Sequence, residues 1–166
     1  MSPDPRLSDA RGACPRSASH PRARQLLLVL FGTAFVVSVV HYADNVVDYA
    51  DYPQTGPAGP PAPYATLIGA AWFLFTAAGL LGIGLFLRGQ IVAAAWALTG
   101  YAVSGLVGLG HYAAPDAAAM PWWRQAHVLA DILCGVLILG FAIWSVVALR
   151  PEVASGRARD QAANGT

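Results

Sequence analysis

The chain has 166 residues, of which 56% are apolar and only 11% charged, with a formal net charge of +1. Soluble domains carry roughly 25% charged residues, so the composition excludes an ordinary soluble globule, and the length is that of one domain. The ten basic residues are all arginine, few and without aromatic interleaving, which excludes a nucleic-acid-binding surface.

Residues 1–24 are Pro-, Ser-, Ala- and Arg-rich with no apolar periodicity and read as a disordered tail. An Arg-rich, Ser-rich start suits a transit peptide, but Asp4 and Asp9 speak against one. The apolar run from Gln25 to Val40 lacks the small-residue pair of a signal cleavage site, because His41 stands where one of them belongs. A retained helix over 25–48 is therefore expected, long enough to span a bilayer. Within it His41, Asp44, Asn45 and Asp48 fall at i, i+3, i+4 and i+7 and share one helical face.

Five prolines between 49 and 63 predict an extended loop. A second span is expected over 64–87, with no ionisable side chain before Arg88 and with an Ala78-x-x-x-Gly82 spacing suited to close helix packing. Arg88-Gly89-Gln90 reads as a tight turn, and a third span as 91–112. There Gly100, Ser104 and Gly108 form a small-residue stripe that His111 continues. After a short loop punctuated by Pro115 and Pro121, Trp122 and Trp123 suit an interfacial aromatic belt, and the fourth span covers 125–149. Residues 151–166 form a second polar tail. Cys14 lies in the first tail and Cys134 in an apolar run, so no disulfide is expected.

The fold class expected is thus all-α and integral to a membrane: four transmembrane helices in an antiparallel bundle. Nine of the ten arginines fall on the side of the two termini, with Arg124 as the exception. The positive-inside rule then makes both termini cytoplasmic. The composition, rich in Ala, Gly, Pro and Arg, suits a GC-rich bacterial genome, and the membrane expected is then a bacterial plasma membrane. The partners expected are the lipid bilayer, with anionic lipid at the arginine tails, and a membrane-protein partner or a second copy of the chain.

This topology brings His41, Asp44, Asp48, His111, His127 and Asp131 to one depth near the outer interface. Ionisable side chains within spans face the interior or a cavity, because exposing them to lipid costs several kcal/mol. Taken singly, each histidine reads as an interfacial residue, His127 with Asp131 as an ion pair and Cys134 as a small apolar filler. Together they suggest a metal site with His41, His111 and His127 as ligands and zinc as the best-suited ion. Asp131 or Asp44 would serve as a fourth ligand or orient an imidazole. Such a site suits metal-assisted hydrolysis of a lipid-like substrate, a chemistry loosely analogous to that of intramembrane zinc hydrolases, none of whose motifs is present here. Two alternatives are a b-type haem held by two of the histidines and a non-catalytic accessory subunit whose polar cluster fixes helix register.

Overall fold

A computed structural model describes residues 20–53 and 61–149. All regular structure among them is helical. The long helices are α1 (Pro21–Val47), α2 (Pro61–Leu87), α3 (Ile91–Leu106) and α4 (Trp122–Ala148). Short 3-10 segments cover Tyr49–Asp51, Val107–Ala113 and Ala117–Ala119. Four segments, Pro21–Val47, Tyr64–Leu87, Ile91–Ala113 and Trp122–Ala148, are long and apolar enough to cross a membrane.

Three boundaries differ from the sequence reading, each by a few residues and each for a local reason. Helix α1 begins at Pro21 instead of 25, because proline at the first helical position has no N–H to leave unpaired. The end of the expected Pro-rich loop is helical from Pro61, since Pro61 and Pro63 both fall in the first turn, where no intrahelical donor is required. Likewise α4 starts at Trp122, directly after Pro121. Residues 1–19 of the tail expected over 1–24, the whole tail expected over 151–166, the central part of the loop at 54–60, and Cys14 lie outside the described residues.

The turn between α2 and α3 is a glycine-terminated helix end. Gly89 has φ 72°, its N–H donates to the Phe86 carbonyl (2.9 Å), and the Gln90 N–H donates to the Leu85 carbonyl (3.0 Å). A larger departure comes at the end of the third span. The α-helix stops at Leu106 and the chain continues as 3-10 helix to Ala113. At 3.0 instead of 3.6 residues per turn, the five steps from Leu106 to His111 turn the chain roughly 100° further than an α-helix would. His111 therefore does not continue the face of Gly100 and Ser104 as expected, and it reaches the interior by this tighter winding.

The main core lies among the four helices, with Leu27, Leu98 and Ile138 almost fully buried and the Phe31 and Tyr101 rings 4.9 Å apart. The outer faces are apolar as well: Trp96 is 75% exposed and Leu74 71%. A surface of that kind suits lipid contact and not water. A smaller cluster of Tyr52, Met120 and Val128 closes the end of the bundle that carries the histidines.

Candidate functional site

Helix α1 supplies the base of the site. One turn apart on its last turns, His41 and Asn45 are buried, and Asp44 and Asp48 follow the same face. Each meets a different neighbour. The Nδ1 of His41 lies 3.3 Å from the Nδ1 of His127 on α4, so one ring donates to the other. The Asn45 amide nitrogen is 3.1 Å from His111 Nε2 on the 3-10 segment. His41 sits between the other two imidazoles, with ring centroids 5.6 Å from His111 and 5.4 Å from His127. The three histidines singled out in the sequence are thus brought together.

Asp44 is held from two directions. Arg124 Nε donates to its Oδ2 at 2.9 Å, and the phenol of Tyr52 donates to the same oxygen. Arg124 also reaches Asp48 (3.5 Å) and Asp51 (3.7 Å), and its guanidinium stacks 4.8 Å from the Tyr52 ring centre. Burial, and then the donation to Asp44, push the Tyr52 phenol well above its ordinary value, so it stays a protonated donor. The Tyr52 ring in turn packs on His111, 4.6 Å between centroids.

His127 faces Asp44 and not Asp131, the partner suggested by i, i+4 spacing. Its Nε2 stands 3.4 Å from Asp44 Oδ2, within ion-pair distance, yet the N–H is not aimed at the oxygen and makes no hydrogen bond among the described residues. Asp131 lies one turn deeper, only 2% exposed, and its Oδ2 has no partner among the described residues. It packs instead against α3, where its carbonyl oxygen lies under Gly105. Arg124 and Tyr52 are the residues that sequence reasoning missed. The available signal was Arg124 itself, a lone cation at the start of a span opposite three aspartates.

Beside these groups lies a cavity of about 340 Å³ between α1, α2 and the 3-10 segment. His41, Asn45 and His111 line it together with the hydroxyl-bearing Tyr42, Tyr52 and Ser104, and Phe75 and Ile68 contribute to the apolar remainder. No carboxylate or guanidinium lines it among the described residues.

No family of known proteins, no curated protein and no solved structure matches this chain. The site must therefore be judged on its own geometry.

The expected cofactors fit that geometry unequally. Haem needs two imidazoles facing each other across a gap that admits the macrocycle, which the His41–His127 contact at 3.3 Å does not offer. For zinc, tetrahedral coordination at about 2.0–2.1 Å sets two nitrogens about 3.3–3.4 Å apart, which matches the His41–His127 pair. Among the described residues, however, no group of three or more His, Cys, Asp or Glu side chains is disposed around one ion.

Proposed function

We propose that this is an integral protein of a bacterial plasma membrane with both termini cytoplasmic, and that its histidine-lined cavity performs acid–base chemistry on a small amphiphile near the outer surface. The side chosen rests on the distribution of arginines. Antiparallel packing is supported by the pairing of Gly105 with Asp131 and of Ala102 with Gly135 between α3 and α4.

One observation carries the chemical reading: Arg124, Asp44, His127 and His41 stand in a row that ends on the cavity wall. An N–H at His127 Nε2, the nitrogen that faces Asp44 Oδ2 at 3.4 Å, leaves the Nδ1 of His127 as an acceptor. It takes the Nδ1 proton of His41, and His41 Nε2 is left with a free lone pair. That nitrogen can remove a proton from a hydroxyl or a water in the cavity, while its Nδ1 proton stays bonded to His127, which holds the ring in the required tautomer. The loose His127–Asp44 contact is of the kind that tightens when substrate binds.

The 3.3 Å spacing of two nitrogens favours one second reading, in which His41 and His127 would hold zinc with His111 as the third ligand. When bound, such an ion lowers the pKa of its water toward 7 and serves hydrolysis of a lipid-like substrate.

The test is turnover by purified protein in vesicles of total polar lipid extract, followed by mass spectrometry of the lipids. Product formation by the wild type, reduced at least about 100-fold in His41→Gln with unchanged melting behaviour, supports the acid–base reading. Equal conversion by both proteins overturns it. Metal bound stoichiometrically by the wild type but not by His127→Ala would decide for zinc.

A further inference from the structure

We infer that the cavity takes the uncharged hydroxyl end of a membrane alcohol, a lipid with a single apolar body and no phosphate. This assigns a ligand class to the proposed acid–base cavity and rests on that reading.

The polar wall selects the head group. Asn45 is 6% exposed, one amide atom meets His111, and Oδ1 has no partner among the described residues. Turning the amide over exchanges the two atoms but still leaves one of them unpaired. A buried polar atom without a partner costs roughly 1–3 kcal/mol, a cost that a hydroxyl bonded to it would relieve. A hydroxyl both donates and accepts and satisfies the amide in either orientation, whereas a ketone or ester oxygen can only accept. The same hydroxyl would lie beside His41, the residue with the free lone pair.

Charge is excluded from both sides. Among the described residues, no cationic side chain lines the cavity to receive a phosphate or carboxylate, and no carboxylate lines it to receive an amine. Asp44 and Arg124 neutralise one another behind the imidazoles. Transferring an unpaired ion to such a place is far more costly than transferring a hydroxyl.

The remaining walls select the body and the route of entry. Ile68, Ala71 and Phe75 lie at i, i+3 and i+7 on α2 and turn one apolar stripe to the cavity. Val107 also lines the cavity and is 60% exposed. It lies within the third candidate span, so an opening there would suit entry from the side. At about 340 Å³ the cavity is near the lower limit for ligand pockets of roughly 300–1,000 Å³. It has room for a head and the first part of one chain, but not for a two-chain phospholipid.

The experiment uses the full chain in nanodiscs with three diazirine probes of one long alkyl chain, ending in a hydroxyl, a carboxylate or a trimethylammonium group. The alcohol is expected to label peptides containing Asn45 or Phe75 at least about tenfold more than either charged probe, since loss of one hydrogen bond at a buried site is worth a factor of that order. Ala71→Phe, which fills the cavity from α2, and Asn45→Leu should each remove the labelling. Gly32→Ala, on α1 and not on the cavity wall, should retain it. Equal labelling by the three probes, preference for a charged one, or labelling unaffected by Ala71→Phe overturns the assignment. Alcohol binding retained in a wild type that converts no lipid would sink the acid–base reading alone. Conversion of some other lipid without alcohol binding would sink the ligand class alone.

Discussion

Arg124 Nε lies 2.9 Å from Asp44 Oδ2, with the two side chains only 4% and 12% exposed. This ion pair joins the start of α4 to the end of α1, and its other contacts, to Asp48 and Asp51, lie nearer the surface. A buried pair adds little net stability by its existence, but removal of one member strands the other charge. Arg124→Gln should therefore destabilise the bundle by about 3–5 kcal/mol, read as a shift in the mixed-micelle unfolding midpoint. The double variant Arg124→Gln with Asp44→Asn should recover most of that loss. If the single variant unfolds like the wild type, the pair does not hold α1 to α4.

Tyr52 tests the same centre through pH. Its phenol is raised above the ordinary value of about 10 by burial and by the Asp44 carboxylate. A raised phenol stays protonated in the folded state while the unfolded chain ionises, so its stabilising contribution is complete below about pH 10 and falls as pH rises above it. The wild type should lose stability steeply above pH 10. Tyr52→Phe should be weaker at pH 7 by about 1.5–3 kcal/mol, the cost of a hydrogen bond to a charged group, and its alkaline loss should be shallower. Parallel melting curves at pH 8 and pH 11 check both parts; identical slopes in the two proteins would count against the Tyr52–Asp44 contact.

Helices were legible in the sequence because apolar length and charge placement are local properties. The four membrane-length segments and the common face of His41, Asp44, Asn45 and Asp48 needed nothing else. What was not legible depends on winding and on partners. An α-helical stripe extended from Gly100 and Ser104 directs His111 inward, and it is inward, but by way of a 3-10 winding that begins at Val107. His127 was paired with Asp131 because both lie on one helix, yet the nearer carboxylate, Asp44, comes from another. Arg124 looked like a flaw in the charge distribution until its three acidic neighbours were brought beside it. Sequence periodicity describes a helix's own faces; it contains no distance between helices.

The small-residue stripe shows the same limit and gives a sharp test. The backbones of α3 and α4 come closest at Gly105 and Gly135. A Cβ on Gly105 would collide with the Asp131 carbonyl oxygen, and one on Gly135 would stand 2.8 Å from the Ala102 carbonyl oxygen. Gly100, by contrast, meets only the Ala78 methyl at an ordinary 3.7 Å. Gly105→Ala should cost about 1–3 kcal/mol by forcing the helices apart. Gly32→Ala, with nothing within 4 Å, should gain about 0.5–1 kcal/mol from the helix backbone alone. Thermal unfolding of the two variants beside the wild type should move in opposite directions, and a shared direction would contradict the packing described here.

Two leucines separate the interior of the bundle from its lipid face. Leu98 on α3 is fully buried against Gly82 of α2, where an added Cβ would stand 2.8 Å from its Cγ. Leu74, near the middle of the second span, is 71% exposed. In water, Leu74 would be an unfavourable surface residue and its replacement by a polar one would be harmless. In a bilayer the expectation reverses. Leu98→Ala should lower unfolding stability by about 2–5 kcal/mol through the cavity it leaves, with membrane insertion unchanged. Leu74→Ala should change folding little, while Leu74→Arg should raise the cost of inserting its span by about 2.5–3.5 kcal/mol. An insertion assay on the second segment, with unfolding of the purified variants alongside, measures the two effects separately. If Leu74→Arg inserts as readily as the wild type, that face of α2 does not meet lipid, and the opening beside Val107 loses its route from the membrane.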